Sequence, residues 1–353
     1  MITKLMLRDF KGVEEGEIGL GRVSVFIGAN NSGKTTVLEA FFLAPNPLRV
    51  VPYGVNVKAV QLLSALHQTL SSKGYLFILH NYTSEIARIR VRAEEDIEVI
   101  FHKRKDSFID VYMAKPEKGE AMYLGQLNKY SDDIGHAYPG LFQLRNIEEY
   151  RGYEIRHAKM EGPYQEIGEA LLYNHMVLDR AWNFIQQNWI EFSKYTVDVA
   201  GVISENLNEQ YSNITLEPFG RGTMALYFIT DDGRRIRLGD VGEGVKTLAT
   251  LFLLAEYTQP QIILIDDVEA HMNPAALYFL ANWLADKAEN GVQVVVSTHS
   301  IEAAKTIAAV TQASIHLLSL KQGKLYVKRL TLDELEHLET LGIDARTAEG
   351  ILI

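Results

Sequence analysis

The sequence predicts an α/β fold with a mixed or parallel central sheet, an N-terminal antiparallel β portion and a mainly helical insertion. Three apolar runs, at residues 23–27, 261–265 and 292–296, carry this prediction. Their content of β-branched residues is typical of buried strands. A distinctive set of residues follows each run. Because open parallel sheets bind ligands at the carboxyl ends of their strands, we expect these residues to form one site.

The first run leads into a glycine-rich turn. Gly28, four intervening residues and then Gly33, Lys34 and Thr35 have the spacing of a phosphate-binding loop, or P-loop. The two glycines can adopt backbone angles that are barred to other residues, so that successive amides turn inward around a phosphate. Lys34 supplies a positive charge to the β- and γ-phosphates, and the Thr35 hydroxyl is placed to bind Mg²⁺. The helix that follows directs the positive end of its dipole at the same anion.

The alternative to a P-loop is a chance match. At average residue frequencies, the four fixed positions arise by accident in roughly one chain in a hundred of this length. A strand before the motif and a helix after it make an accident rarer. The sequence therefore predicts a protein that binds a nucleoside triphosphate.

Composition limits the remaining choices. The 353 residues are 47% hydrophobic and 23% charged, as expected for a globular protein with a sizeable core. The absence of cysteine excludes disulfides and cysteine nucleophiles and fits a cytoplasmic address. No apolar run is long enough to predict a membrane span. With a net charge of −10, binding to nucleic acid would require a local basic patch.

We divide the chain into three parts: residues 1–114 with the P-loop and a β meander, a mainly helical insertion at 115–210, and residues 211–353. Within the insertion, four apolar residues recur at helical spacing: Trp182, Ile185, Trp189 and Phe192. Such a stripe is more often part of a core than a docking face, and we favour the core.

Six basic residues occur in two neighbouring stretches, Arg88, Arg90, Arg92, Lys103, Arg104 and Lys105. The three arginines alternate with apolar residues, so they share one face of a strand. A solvated β-face balanced by acidic residues 94–96 is the favoured interpretation. Contact with the phosphate backbone of DNA is the alternative.

The second and third apolar runs end in groups suited to nucleotide hydrolysis. Asp266 suits an outer-sphere contact to Mg²⁺, and Asp267 suits the polarisation of an attacking water. His299, in the sequence S-T-H-S, can form a hydrogen bond to the γ-phosphate or to that water. Alone, each could be an ordinary strand-end polar residue. Following a P-loop in this order, they indicate a hydrolytic site.

The order of these motifs resembles the ATP-binding-cassette (ABC) heads of the SMC, RecF and OLD group. It comprises the P-loop, the insertion, D-V-G-E-G-V-K at 240–246, I-L-I-D-D-x-E at 263–269 and S-T-H-S at 297–300. The opening I-T-K-L-M-L-R-D-F-K-G is similar to the first strand of those heads. The resemblance implies a P-loop NTPase fold with ATP and Mg²⁺ as ligands. It also implies a homodimer that closes face to face around two ATP molecules.

The resemblance assigns roles by position. Asp266 assists Thr35 at Mg²⁺, Asp267 is the catalytic base with Glu269 as the alternative, and His299 is the switch histidine. The segment with Glu269 and His271 crosses to the partner subunit. The triphosphate lies against the loop residues Gly28, Ala29, Asn30, Asn31, Ser32, Gly33, Lys34, Thr35 and Thr36, and the signature residues Gly242, Glu243 and Gly244 contact the ATP of a second subunit.

The chain departs from the pattern of those heads at three places. Asp267 replaces the usual catalytic glutamate and is one methylene shorter, so slow hydrolysis is expected. Gly242 replaces the usual serine, which removes a hydrogen-bond donor to the γ-phosphate. The glutamine that completes Mg²⁺ coordination has no clear counterpart, since only Gln61 and Gln68 follow the P-loop helix at a suitable distance.

The leading functional hypothesis is an ATPase that serves DNA repair, DNA maintenance or antiviral defence together with a partner protein. OLD-type proteins continue into a nuclease domain for which no length remains after Ile353, so any nuclease is expected on a separate chain. A nucleotide-gated scaffold with negligible hydrolysis is the main alternative. A transporter subunit is less favoured because of the large insertion, and a hexameric motor because of the signature and S-T-H-S segments.

Overall fold

The computed structural model describes residues 1–54, 57–70, 72–135, 154–157, 169–207 and 210–346. The strands are β1 (Lys4–Phe10), β2 (Val13–Gly19), β3 (Val23–Ile27), β4 (Val50–Val51), β5 (Val57–Lys58), β6 (Ile86–Arg92), β7 (Asp96–Lys103), β8 (Phe108–Lys115), β9 (Glu120–Asn128), β10 (Ile134–Gly135), β11 (Glu154–His157), β12 (Ala170–Tyr173), β13 (Tyr211–Pro218), β14 (Met224–Thr230), β15 (Arg235–Arg237), β16 (Ile262–Ile265), β17 (Gln293–Ser297), β18 (Ser314–Lys321) and β19 (Lys324–Leu330). The α-helices are α1 (Lys34–Leu43), α2 (Ala59–His67), α3 (His175–Gln187), α4 (Trp189–Phe192), α5 (Thr196–Leu207), α6 (Glu243–Thr258), α7 (Pro274–Glu289), α8 (Ile301–Thr311) and α9 (Leu332–Thr340).

One large mixed sheet organises the described chain, and fourteen of the described strands belong to it. Its parallel half has the order β12-β16-β17-β3-β18. Beyond β18, the strands β19, β2, β1, β6, β7, β8, β9 and β10 continue it, with antiparallel pairing between neighbours except between β19 and β2. The fourteenth strand, β11, pairs in parallel with β9. The predicted α/β fold with an antiparallel β portion is confirmed.

The strands that lead into the candidate site are buried along their whole length. Every residue of β3, β16 and β17 is buried, without the alternation of a half-exposed strand. Helix α1 packs across β12, β16 and β17, while α8 packs on β3 and β18. Strands covered on both faces read as continuous apolar runs, which is why the sequence pattern located them.

The β meander predicted for residues 86–113 is confirmed as β6, β7 and β8. In β6 the apolar residues between the arginines are buried, so Arg88, Arg90 and Arg92 share the opposite face. Two of them are neutralised locally, because both Arg90 and Arg92 donate hydrogen bonds to Asp96 of β7. In the second basic stretch, Arg104 forms ion pairs with two aspartates. These contacts favour the solvated, charge-balanced face.

The prediction of a mainly helical insertion at residues 115–210 is wrong for the described residues 120–128, 134–135, 154–157 and 170–173, which form strands. Strand β9 extends the meander, and β12 is an edge strand of the parallel half, paired with β16. Among the described residues of this range, the first α-helix begins at His175. All four residues of β12 are buried. A run of four residues is too short to show a hydrophobic period, so the sequence did not predict this strand.

The apolar stripe predicted for one helix spans two, because α3 gives way to α4 around Asn188. Ile185 and Phe192 are fully buried. The indole nitrogen of Trp182 donates to Thr250 Oγ1 of α6 at 2.8 Å. The core interpretation of the stripe is therefore confirmed. Among the described residues, no helix combines the length and the apolar character needed to cross a membrane.

A buried glutamine fastens the first residues of the chain to the parallel half. Gln293, at the start of β17, accepts a hydrogen bond from Ile2 N at 2.9 Å. Its amide nitrogen donates to Ile2 O at 2.7 Å and to Gly21 O at 3.0 Å. The side chain thereby holds the segments that precede β1 and β3.

We expect Gln293→Ala to lower the free energy of unfolding by about 2–3 kcal/mol, because it leaves buried backbone groups without partners. Urea unfolding followed by circular dichroism measures the change. Gln187→Ala, at an exposed position of α3, is the matched control and should change stability by no more than about 0.5 kcal/mol. Equal effects of the two substitutions would contradict the role given to Gln293.

Candidate nucleotide-binding site

The P-loop is shaped by glycines at both ends. Gly28 has φ 151° and Gly33 has φ 94°. A Cβ atom on Gly28 would lie 2.4 Å from the carbonyl oxygen of Leu318, a contact too short for any side chain. At Gly33 a Cβ would lie 3.2 Å from Leu325 Cδ1. The loop therefore lies directly against the β18–β19 hairpin, with no room for side chains at either end.

Helix α1 begins immediately after this loop, and its first turn suits an anion. Gly33 occupies the N-cap position without a capping side chain, and the first turn carries no acidic residue. The amides at the start of α1 are thus left for a ligand, and the helix dipole favours negative charge there.

Lys34 points back into the loop. Its ammonium donates to the carbonyl oxygens of Gly28 and Ala29, each at 3.0 Å. Burial lowers the pKa of Lys34, and the charges of Asp267, Asp266 and Glu269 oppose that shift. The loop thus holds a cation within an acidic surrounding, where a triphosphate can take the place of the loop carbonyls.

A chain of hydrogen bonds joins the three strand ends. Thr35 Oγ1 donates to Asp266 Oδ2 at 2.9 Å, and Ser297 Oγ donates to the other carboxylate oxygen. Ser297 Oγ in turn accepts from Asp267 N at 3.0 Å. Burial raises the pKa of Asp266, and the bonds from Ser297 and Thr35 oppose the rise. The role of Ser297 was missed, although it opens the S-T-H-S motif.

Hydroxyl and carboxylate oxygens at this position fit Mg²⁺, which prefers hard oxygen ligands. The described residues include no cluster of three or more histidine, aspartate or glutamate side chains suited to a metal ion. Mg²⁺ bound beside Thr35 and Asp266 would therefore take its other ligands from phosphate and water, as is usual for this ion.

The two other acidic residues of the motif occupy different positions. Asp267 has φ 53°, a left-handed backbone rare for aspartate, and its Oδ1 lies 3.5 Å from His299 Nε2. Both side chains are partly exposed. Glu269 Oε1 instead accepts a hydrogen bond from His299 N at 2.7 Å. The structure thus places Asp267 beside the imidazole and Glu269 beneath the main chain of the histidine.

The signature residues lie against the segment that follows Asp267. Gly242 is the N-cap of α6, and Glu243 is the first residue of that helix. A Cβ on Gly244 would lie 3.1 Å from His271 O. A cavity of about 200 Å³ separates α6 from the end of β16, and its lining includes Asp266 and Asp267. Of the described residues, those lining this cavity include none from the P-loop.

Neither glutamine considered for Mg²⁺ lies at this edge of the sheet. Gln61 is bound to the N-terminus of α2 and to Asp132 O, and Gln68 contacts the Asp132 carboxylate. The strand order places Asn174 there instead, directly after β12. The residue before it, Tyr173, accepts a hydrogen bond at its carbonyl oxygen from Asp266 N at 3.0 Å. The Asn174 side chain caps α3 through Oδ1. It escaped notice because β12 was not predicted.

Two family models match the chain, and one solved structure shares its fold over nearly the whole length. The model described as "AAA ATPase domain" matches residues 1–139, and that described as "AAA domain, putative AbiEii toxin, Type IV TA system" matches residues 174–304. An SMC head solved with the C-winged helix domain of ScpA is 15% identical with a TM-score of 0.52, and the match covers 95% of this chain and 99% of that one. This chain therefore has the fold of an SMC head domain.

One further solved structure has a lower TM-score, and one sequence relative matches only a short segment. The SMC head domain from Thermotoga maritima is 17% identical with a TM-score of 0.47, over 93% of this chain and 98% of that chain. A segment of 42 residues is 45% identical to the DNA replication and repair protein RecF of Edwardsiella ictaluri. That segment spans 12% of this chain and 12% of RecF.

A buried ionic cluster anchors the helix that carries this site. Glu39 of α1 is buried, and its two carboxylate oxygens are bound by Lys11 and by His67. Burial by itself would raise the pKa of Glu39, but Lys11 and His67 more than offset it, and the pKa lies below its usual value. The cluster ties α1 to the β1–β2 turn and to the end of α2. No sequence pattern revealed it.

We expect Lys11→Met to lower the free energy of unfolding by about 3 kcal/mol, because it leaves a buried carboxylate with only one partner. Adding Glu39→Gln should restore part of that loss. Chemical denaturation at pH 7 measures both, with Lys328→Met at an exposed position of β19 as the control. A loss in Lys11→Met no larger than in the control would contradict this role.

The same cluster predicts a pH dependence. The pKa of Glu39 in the folded protein lies below its unfolded value of 4.5, so its stabilisation is complete above about pH 4.5 and is lost as the pH falls through the folded value. The difference in stability between the wild type and Glu39→Gln should therefore shrink as the pH falls below about 4.5. A difference that does not shrink there would refute the assignment.

Proposed function

We propose that this protein binds ATP with Mg²⁺ and hydrolyses it slowly as a homodimer that encloses two ATP molecules. The hydrogen-bonded line from Thr35 through Asp266 to Ser297 carries the proposal. It joins the P-loop helix to the ends of the other two motif strands. A lone P-loop match would not require such a junction.

In this mechanism each group has one task. Lys34 and the first amides of α1 bind the phosphates, and Thr35 and Asp266 hold Mg²⁺, which neutralises phosphate charge during transfer. Asp267 accepts a proton from the attacking water, and His299 orients that water or the γ-phosphate. The 3.5 Å between Asp267 Oδ1 and His299 Nε2 is longer than a hydrogen bond, so both groups remain available to the water.

The dimer is supported by the placement of the signature. Glu243 lines the cavity and Gly244 lies against His271, while none of the described residues that line this cavity comes from the P-loop. A Cβ on Gly242 would meet no atom within 4 Å, so its backbone is open to an incoming surface. The γ-phosphate of a second subunit's ATP fits that position, as in the dimer implied by the resemblance.

We further propose that the protein acts in the cytoplasm, either on DNA or in antiviral defence, together with a partner such as a nuclease. The RecF segment and the match to a toxin-associated AAA domain support it. The SMC head in the comparison was solved with a bound protein, which favours a partner here too. For direct DNA contact, Arg92 and Lys105 are the exposed residues of the two basic stretches.

A nucleotide-gated scaffold remains the second candidate, and two observations favour it. Asp267 is one methylene shorter than the usual catalytic glutamate, so its carboxylate reaches less far toward the attacking water. Gly242 offers only backbone atoms to the γ-phosphate. Both features would slow hydrolysis while the P-loop contacts to the nucleotide are kept.

ATP turnover measured against protein concentration tests the proposal, with Lys34→Ala as the blank. Specific activity should rise with concentration and then saturate, because each site needs a second subunit. Activity that is independent of concentration would contradict the composite site. Turnover no higher than that of Lys34→Ala, with ATP still bound by the wild type, would support the scaffold instead.

Duplex DNA binding in the ATP-bound state tests the finer proposal. We expect binding to weaken as salt rises and to fall severalfold in the double variant Arg92→Glu with Lys105→Glu. Lys328→Glu, another exposed basic position, is the matched control. Binding that is absent, or that is unchanged in the double variant, would remove these residues as a DNA contact.

A further inference from the structure

The main chain of His299 is held from both sides by charged side chains. Its N–H donates to Glu269 Oε1 at 2.7 Å, and its carbonyl oxygen accepts a hydrogen bond from Arg346 Nη1. The flanking peptide groups are also fixed, with Thr298 N donating to Phe26 O at 3.0 Å and Ser300 N to Thr298 Oγ1 at 2.9 Å. The backbone that carries the imidazole is thus held by hydrogen bonds on both sides of His299.

Arg346 is itself oriented. Its Nε donates to Asp344 Oδ1 at 2.9 Å, and a second guanidinium nitrogen contacts the same carboxylate. This bidentate arrangement leaves Nη1 directed at His299 and fixes the plane of the guanidinium. A lysine at this position would lack that fixed geometry.

The segment that carries Arg346 is packed onto the helix that follows the histidine. Helix α9 contacts α8, and Lys305 of α8 forms an ion pair with Glu339 of α9 at 2.8 Å. Leu335 and Ala345 are buried. The chain therefore returns from α9 to the loop that precedes α8, 47 residues after His299, and contacts it there.

Glu269 adds a second charge to the same place. Its Oε2 is buried and, among the described residues, has no hydrogen-bond partner. The hydrogen bond to Asp344 raises the pKa of Arg346, and the nearby charge of Glu269 adds to that rise, so the guanidinium stays ionised. Two side chains of opposite charge thus converge on the main chain of one residue, one on its N–H and the other on its carbonyl oxygen.

We propose that Arg346 and Glu269 are positioning residues that set the His299 imidazole relative to Asp267 and the reacting water. The proposal rests on the hydrolysis proposed above. With the backbone fixed, the imidazole can move only by rotation of its side chain. A displacement of about 1 Å in a catalytic group can lower a rate on the order of a hundredfold. Arg346 acts through His299 and needs no contact with nucleotide.

Steady-state ATP hydrolysis by a set of variants tests this proposal. We expect Arg346→Ala to lower kcat about tenfold or more with KM for ATP changed less than about twofold, because ground-state binding is untouched. Arg346→Lys should recover part of kcat, since lysine can still donate to the carbonyl. Lys305→Ala, which loosens α9 on α8 without touching His299, is the control and should leave kcat nearly unchanged.

A double-mutant cycle separates positioning from a general structural effect. In a His299→Ala background, Arg346→Ala should lower kcat no further, because the group through which it acts is gone. A multiplicative loss in the double variant, an unchanged kcat in Arg346→Ala, or an equal fall in Lys305→Ala would overturn the proposal.

If the protein does not hydrolyse ATP as proposed above, wild-type turnover will be no higher than that of Lys34→Ala. The positioning is then read from the His299 imidazole resonance in an NMR spectrum, assigned by its loss in His299→Ala. Arg346→Ala should shift this resonance and Lys305→Ala should not. A resonance that does not move in Arg346→Ala would overturn the positioning role whether or not ATP is hydrolysed.

Discussion

The parallel pairing of β3, β17 and β16 is the constraint on which the nucleotide site depends. Their register sets Ser297 beside Phe26 and Ile265 beside Val296, so the P-loop, the acidic pair and the S-T-H-S loop emerge at one edge. Thr35 and Asp266 are 231 residues apart in the chain and still form a direct hydrogen bond. The chemistry is therefore a property of the strand order, and the long segments between the motifs can vary while this pairing is kept.

Several ionisable side chains in the same region are buried. Lys34 and Asp266 have pKa values shifted by burial in the direction that disfavours their ionised forms, and Glu39 stays ionised only because Lys11 and His67 surround it. A site of this kind is poised to gain from a ligand of complementary charge, since phosphate pairs with the lysine and a metal ion pairs with the aspartate. Ligand binding to such a site adds to the stability of the folded state by mass action.

The sequence predicted the parts of the fold whose signals are local. Buried parallel strands produce unbroken apolar runs, and the P-loop is a short contiguous motif, so β3, β16, β17 and the residues at their ends were found. Strand β12 was not, because four apolar residues show no period, and with it Asn174 was overlooked. Contacts between distant segments leave no pattern at all. Glu39 meets Lys11 and His67, each 28 residues away, and Arg346 meets His299 across 47 residues.

The close packing around Leu325 has a mechanical consequence. Its side chain lies against Gly33, the last residue of the P-loop, and a Cβ on Gly16 of β2 would lie 2.6 Å from Leu325 Cβ. One leucine thus bridges the phosphate loop and the antiparallel half of the sheet without a gap. Since close-packed side chains transmit displacement instead of absorbing it, a movement of the loop of a few tenths of an ångström is passed on to β2. The Leu325 side chain thereby couples the position of the P-loop to that of the antiparallel half of the sheet.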